Sequence, residues 1–422
     1  MRPLLPALAA LSALSLAQSP AAWEQPLAQQ KWSEAEPLLK QALAERETEP
    51  VLRGLATVYR ATGRFSDTGP ILERLVALDE SAANVEDLAR VKAALGRLDL
   101  AETLYRRALA LRLDPDPDPL ESIPVRQRLA QVLVAEKKFP EAEQEALTAI
   151  ALRVRILGPK HPDLAGDYAA LGRIYQTQKK WQEAAGIWET TAGVQIAAFG
   201  YEDLRLANTL DSLADCEYEL QQVDRAEDSL RRTLAIRELN LGPSHAEVAR
   251  TTDRLATLFY QAKRFADAEP FYRRSLDIYL SLLGPDDPML GRNYDNLAVT
   301  EARLEKYEES EKLYREALRL RDGDDATSLR NLALILVARD KSSEAEPLYR
   351  RALAVLDAPN ITCSLLNCTL TQDPDLLKEV LAEYAEVLRD LKRPADAAKL
   401  DNRLNGNKQL PQGKGLPVAS KQ

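Results

Sequence analysis

Histidine and cysteine are nearly missing from this sequence, with two of one and three of the other in 422 residues. Metal sites and nucleophilic catalysis that depend on those side chains have almost nothing to draw on. Glycine (17) and proline (24) are modest, so the bulk is neither collagen-like nor of low complexity. Positive charge is not in excess either: 56 Lys and Arg stand against 65 Asp and Glu, a net charge of −9. A nucleic-acid binder normally shows a basic footprint, so that class is disfavoured. Long hydrophobic runs are also lacking. The longest, Leu4–Leu16, falls short of the ~20 residues a spanning helix needs. Apolar residues at 45% and charged residues at 29% are ordinary for a soluble globular chain.

What is present begins with a targeting pattern. Met1-Arg2, the apolar run Leu4–Leu16 and the small-x-small tripeptide Ser15-Leu16-Ala17 read as a secretory signal peptide. The expectation is cleavage after Ala17 and a secreted or periplasmic chain from Gln18, with no stable membrane insertion.

The dominant feature is internal repetition, which decides the fold before any local reading. A pair such as Ala-Glu opens an apolar-periodic stretch at Ala35, Thr68, Ala101, Ala142, Ala184, Ala226, Ala268, Ser310, Ala345 and Ala397. Four of the steps between them are 42 residues. Twelve residues earlier stands a second small residue, as at Ala214, Ala256 and Ala298. Four residues later stands a larger one, as at Trp188, Leu230, Tyr272, Tyr314 and Tyr349. Each unit reads as two helices, Val248–Ala262 and Phe265–Leu283 in the seventh, joined by a turn at Lys263-Arg264. Small residues let the helices approach where they cross, and the large neighbour fills the space beside them. One pair cannot bury its apolar faces alone, so stacking is required. Glycines at Gly158, Gly200, Gly242 and Gly284 end the second helices, where a left-handed cap is expected.

The pattern Leu255-Ala256-x-x-Phe259, Phe265-x-x-Ala268-Glu269, Tyr272-Arg273-Arg274-Ser275-Leu276 resembles the tetratricopeptide repeat. The 42-residue form, with Leu241-Gly242-Pro243-Ser244-His245 and Asn293-Tyr294-Asp295-Asn296-Leu297-Ala298, is similar to the repeats of kinesin light chain. The resemblance implies an all-α fold, a right-handed superhelical solenoid of about ten antiparallel helix pairs. With the signal peptide (1–17) set apart, the chain divides into repeats of 33–34 residues (18–112), 42-residue repeats (113–325), and C-terminal repeats (326–404) with an inserted cysteine-containing loop (357–375). A tail at 405–422, short of apolar residues, is expected to be disordered, and Asp114–Asp118 to be an extended joint. Thr191, Thr233 and Ser275 depart from the usual alanine.

The resemblance also implies that the first helix of each pair lines a concave groove. Its register gives ladders: Asn208, Arg250 and Arg292; Asp211, Asp253 and Asp295; Ser212, Arg254 and Asn296; Tyr218 and Tyr260; with Arg330 and Asn331 from the ninth unit. Asparagine can hold a peptide backbone, and arginine can grip a carboxylate with two bonds. The same rows also read as a solvated face whose charges neutralise each other, and both readings stand. Cys363 and Cys368 flank Ser364–Asn367, and an oxidising compartment favours a disulfide between them. His161 and His245 occupy equivalent loops, where capping is the expected role. Trp181 and Trp188 lie seven residues apart, where packing between repeats is favoured over sugar binding.

No phosphate-cradling glycine loop, nucleophile elbow or paired metal ligands occur. The expectation is therefore no catalytic residue, no cofactor and no metal. The sequence is read as a non-catalytic protein–protein interaction scaffold that binds a partner peptide or protein segment in the groove. The rival reading is a structural or assembly component of the cell envelope acting through its convex face or tail.

Overall fold

A computed structural model describes residues 21–112, 119–321, 325–358, 361–364, 367–370 and 373–407, the last two residues and 361–370 by backbone alone. The signal-peptide segment, the Asp114–Asp118 joint and the tail from 408 lie outside these residues. The chain divides into two compact bodies, Met1–Val194 and Gln195–Gln422.

The N-terminal body contains α1 (Glu24–Ala28), α2 (Trp32–Glu45), α3 (Glu49–Ala61), α4 (Phe65–Leu78), α5 (Ala82–Ala94), α6 (Leu98–Arg112), α7 (Pro119–Ala135), α8 (Phe139–Leu157) and α9 (Leu164–Thr177). Helix α10 (Trp181–Phe199) carries the division between the bodies. The C-terminal body holds α11 (Leu204–Glu219), α12 (Val223–Leu241), α13 (Ala246–Gln261), α14 (Phe265–Leu283), α15 (Leu290–Arg303), α16 (Tyr307–Leu320), α17 (Ala326–Ala338), α18 (Ser342–Asp357), α19 (Pro374–Asp390) and α20 (Pro394–Asn407). Within each body the helices pack in consecutive pairs, and each pair packs on the next. This is the all-α solenoid arrangement expected from the repeats.

The small-residue rule holds in three dimensions. Ala256, Ala268 and Ala298 are fully buried, and Leu255 beside them is 0% exposed. Truncating such a leucine costs about 2–5 kcal/mol. The departures from alanine are explained by hydrogen bonds. Ser275 Oγ donates to the Ala249 carbonyl at 3.0 Å, and Thr233 Oγ1 donates to the Ser229 carbonyl at 3.0 Å. A buried hydroxyl is tolerated because it is bonded.

The Ala-Glu pair has a second function. Its glutamate accepts an ion pair from a lysine or arginine at the turn of the following repeat. The rungs are Glu36–Arg64 (2.6 Å), Glu102–Lys138 (2.6 Å), Glu143–Lys180 (3.4 Å), Glu227–Arg264 (2.8 Å), Glu269–Lys306 (2.5 Å), Glu311–Lys341 (3.4 Å) and Glu346–Arg393 (2.8 Å). Each such surface pair contributes ~0.2–1 kcal/mol. Their recurrence sets the register of one repeat on the next.

The two kinds of loop differ from expectation in an instructive way. The left-handed conformation occurs inside the pairs, at Lys137, Lys179, Gln221, Lys263, Glu305, Asp340 and Lys392, with φ of 58 to 63°. At the seventh pair the Lys263 N–H reaches the Tyr260 carbonyl and the Arg264 N–H reaches the Phe259 carbonyl at 2.8 Å. That is a Schellman closure, built here without glycine. The glycines between pairs do not form left-handed caps. Gly158, Gly242 and Gly284 take φ of 85 to 87° with ψ of 157 to 162°, a region open essentially to glycine alone.

Two further expectations are corrected. The insertion at 357–375 is not a plain loop: Ile361–Ser364 and Asn367–Leu370 form strands β1 and β2 of an antiparallel hairpin. The final helix runs to Asn407, so Asn405–Asn407 belong to it and not to the tail.

Candidate functional site

The register ladders fall on the first helices of the C-terminal body, α11, α13, α15 and α17. Asn208, Arg250 and Arg292 are exposed, one per repeat in the same register. The rows beneath them are largely paired within the protein.

Asp211 is the centre of the first cluster. It is buried, it accepts from Arg237 at 2.5 Å, and it forms an ion pair with Arg254 at 2.6 Å. Arg237 is 1% exposed and also donates to Thr251 Oγ1 at 2.6 Å and to Asn208 Oδ1 at 3.1 Å. Arg254 continues to Asp215, and Arg250 pairs with Glu247 on its own helix. Ser212 Oγ donates to the Asn208 carbonyl at 3.1 Å.

The second cluster differs. The position that holds Arg237 in one repeat holds Tyr279 in the next. Asp253 therefore has no guanidinium beneath it, and its Oδ1 is buried without a hydrogen-bond partner. Burial pushes its carboxyl above the usual aspartate range, against the pull of Arg292 and the Asn296 amide. In the third, Asp295 accepts from Arg321 at 2.6 Å and from Ser328 Oγ at 2.8 Å, and burial again raises its carboxyl. In the ninth unit Arg330 is bound by Glu383, with Glu379 3.0 Å away, and the Asn331 amide works against the burial that raises the Tyr314 phenol. Tyr260 meets Phe265 edge-on at 5.2 Å, and its hydroxyl accepts from Arg303 at 3.5 Å.

The structure thus joins Asn208, Asp211, Arg250 and Arg254 into one network, whereas Arg292 and Asn296 act on Asp253 electrostatically and leave its Oδ1 without a hydrogen bond. It commits Arg254 and Arg330 to internal carboxylates. The residue that sequence reasoning missed is Arg237. A signal existed: Arg153, Arg237 and Arg321 stand 84 residues apart. Arg153 holds Asp167 at 2.5 Å, and burial raises that carboxyl too.

Tyr218 is exposed at the edge of a cavity of about 220 Å³ between α11, α12 and α13. Burial lifts the neighbouring Tyr272 phenol to about 12.

The remaining expectations sort simply. His245 Nδ1 accepts from the Glu247 N–H at 3.1 Å and is the N-cap of α13, whereas His161 Nδ1 accepts from the Asp163 N–H at 3.3 Å within the loop, and α9 begins after Asp163 with no side-chain cap. Cys216 and Trp188 are buried. The hairpin register sets Cys363 opposite Cys368, but their side chains lie outside the described residues. Among the described residues no cluster of three or more metal-ligating groups occurs, and no helix is long and apolar enough to cross a membrane.

Comparison with known proteins follows the same lines. A family model described as Tetratricopeptide repeat matches residues 121–189, 205–281, 251–323 and 293–358. No curated protein gives a match. Among solved structures, TPR-like repeats of a Podosopora anserina kinesin light chain match at 20% identity, covering 48% of this chain and 96% of that one, with a TM-score of 0.43. BtubC from P. vanneervenii matches at 21% identity, covering 62% and 90%, with a TM-score of 0.38. A signal transduction ATPase with a tetratricopeptide repeat sensor from Pyrococcus horikoshii matches at 13% identity, covering 78% of this chain and 52% of that one, with a TM-score of 0.52. At these identities the likeness concerns the fold alone.

Proposed function

Because the chain belongs to the tetratricopeptide repeat family, we propose that it is a non-catalytic interaction scaffold that holds an extended segment of a partner protein along α11, α13 and α15. The carrying observation is the row Asn208, Arg250 and Arg292, one exposed polar side chain per repeat, above charges that are paired at Asp211 and Asp295. Asparagine offers a donor and an acceptor to a peptide backbone, and arginine offers a planar fork to a carboxylate. Arg237 and Arg254 at Asp211, and Arg321 at Asp295, give the outer rungs a fixed base with little net charge of its own.

Affinity capture tests the reading. Residues 18–422 serve as bait against an envelope extract of the source organism, beside a bait carrying Arg250→Glu and Arg292→Glu. Arg254 stays unchanged because its ion pairs with Asp211 and Asp215 belong to the fold. A partner held by the first bait and lost by the second supports the reading. A partner held equally by both overturns it.

A second reading, an envelope assembly component acting away from this face, is favoured by Leu239, Leu282, Leu283 and Met289. These apolar side chains at loop ends are 61%, 48%, 40% and 70% exposed. We also place the scaffold outside the cytoplasm, on the strength of the Leu4–Leu16 run and the Ala17 site, with Cys363 and Cys368 bridged. N-terminal sequencing that begins at Gln18, with a mass lacking the two thiol hydrogens, agrees with this. An intact Met1 and two free thiols contradict it.

A further inference from the structure

The large residue of each second helix reveals what the space between repeats accepts. At Tyr272 the hydroxyl lies 3.0 Å from Thr257 Oγ1 on the preceding first helix. At Tyr314 the Asn331 amide on the following first helix acts on the hydroxyl, favouring its ionised form against the effect of burial. At both positions a buried tyrosine ring packs on the second helix, and its hydroxyl faces a polar residue of a first helix.

In the pair α11–α12 the corresponding position is Leu230. No ring fills the space there, and the cavity of about 220 Å³ lies at that point. Its floor includes Ala214, Leu230 and Leu258, and Tyr218 stands at its edge. Its polar lining is Thr257 and the charged pair Asp215 and Arg254. By register, Asp215 is the position of Thr257 and Arg254 is the position of Asn331. At these positions stand an acceptor and a donor of full charge, bonded directly to each other, so a hydroxyl that enters bridges the pair in place of that contact. An apolar cavity of about 150 Å³ suffices to take up benzene, so an aromatic ring fits.

We propose that this cavity binds a phenol ring, whose hydroxyl donates to Asp215 and accepts from Arg254 while the ring packs on Leu230, Leu258 and Tyr218. The protein supplies such a ring itself at Tyr272 and Tyr314 and leaves the space open at Leu230. The phenol comes either from a tyrosine of the bound partner segment or from a free small molecule. The inference rests on the reading of the first-helix face as a binding surface, and it adds the anchor chemistry. A second cavity of about 250 Å³ occurs at the same register in the N-terminal body, where the large position is Ala146. There the polar wall positions are Gln131 and Ala170, without the charged pair.

The test uses the full mature chain with p-cresol and toluene as probes, followed by ligand-observed NMR. The p-cresol Kd should be on the order of 1 mM, given the affinity available to a ligand of this size. Leu230→Tyr, which supplies the missing ring, should weaken p-cresol binding at least ~10-fold with helicity unchanged. A hydrogen bond to charged groups should favour p-cresol over toluene by roughly 10-fold, and Asp215→Leu should erase that preference without relying on the larger substitution. Equal binding to wild type and Leu230→Tyr overturns the proposal, and so does equal binding of toluene and p-cresol to the wild type. Capture with the Leu230→Tyr bait separates the sources. Loss of the partner assigns the ring to a partner tyrosine, and retention assigns it to a free phenol. If p-cresol binds but capture ignores Arg250 and Arg292, the phenol site stands and the reading of the face falls. If capture depends on those arginines and p-cresol does not bind, only this inference falls.

Discussion

Arg237→Met removes the one fully buried guanidinium beneath α11 and α13 while keeping a chain of similar length in its place. Three hydrogen bonds disappear, to Asp211 at 2.5 Å, Thr251 at 2.6 Å and Asn208 at 3.1 Å. Breaking a buried ion pair by deleting one partner costs about 3–5 kcal/mol, because the remaining charge stays buried alone. Asp211 is not left wholly alone, since Arg254 remains 2.6 Å away. The cost therefore belongs at the lower end, about 3 kcal/mol. Adding Asp211→Leu removes the stranded carboxylate, and the double variant should lie within about 1 kcal/mol of wild type. A repeat array need not melt as one unit, so the assay is backbone hydrogen exchange across α11–α13. A loss of about 3 kcal/mol accelerates exchange there roughly 100-fold, at 1.36 kcal/mol per decade. Helices α17–α20 should exchange as in wild type. A single variant costing under about 1 kcal/mol, or a double variant equal to the sum of its parts, would refute the argument that Arg237 is retained to neutralise Asp211.

Other outcomes follow from the loops, the helix crossings and the ion ladder. Lys263 holds φ of 60°, so Lys263→Gly should raise stability by about 0.5–1 kcal/mol, whereas Gly242→Ala, at φ of 87° and ψ of 157°, should lower it by about 1–3 kcal/mol; paired thermal melts decide both. A Cβ on Gly172 would stand 2.8 Å from the buried Trp188 ring, so Gly172→Ala should cost about 1–3 kcal/mol and shift the tryptophan emission. The Lys138 ammonium and then the Arg106 guanidinium hold the Glu102 carboxyl down at about 2, below its ordinary 4.5. Its folded-state value is lowered, so its contribution is complete above the ordinary value and fades as pH falls from 4.5 to about 2. Glu102→Gln should therefore melt below wild type at neutral pH and coincide with it at the acid end of that window. Burial raises the Asp253 and Asp295 carboxyls instead, so these two gain stability as pH falls and partly offset the acid loss.

The fold was legible because a repeat states its packing many times over. The seventh pair was expected as Val248–Ala262 and Phe265–Leu283 and is found as Ala246–Gln261 and Phe265–Leu283. The register placed Asn208, Arg250 and Arg292 on matching exposed positions, since period alone fixes which face a residue joins. Pairing was less legible. A ladder of aspartates beside a ladder of arginines does not disclose that the decisive guanidinium comes from the second helix, where Arg237 alternates with Tyr279. Nor did a missing ring at Leu230 stand out, because leucine is as apolar as tyrosine in a pattern and differs only in the volume it leaves. The glycine loops were expected as helical caps because residue type reports that φ is positive and says nothing of ψ. The hairpin at β1–β2 has no counterpart elsewhere in the chain, so repetition could not announce it.

The substantial contacts in the C-terminal body join each helix to the next, or to the next but one. Among the described residues no substantial contact ties α11 directly to α17. Mechanically such a row is a spring: small rotations at successive interfaces add up, and no distant contact opposes them. A segment lying across several rungs would be the first link between helices that do not otherwise touch. Holding it would stiffen the row, and stretching the row would loosen the hold. Grip and curvature in this protein are then two readings of one elastic variable.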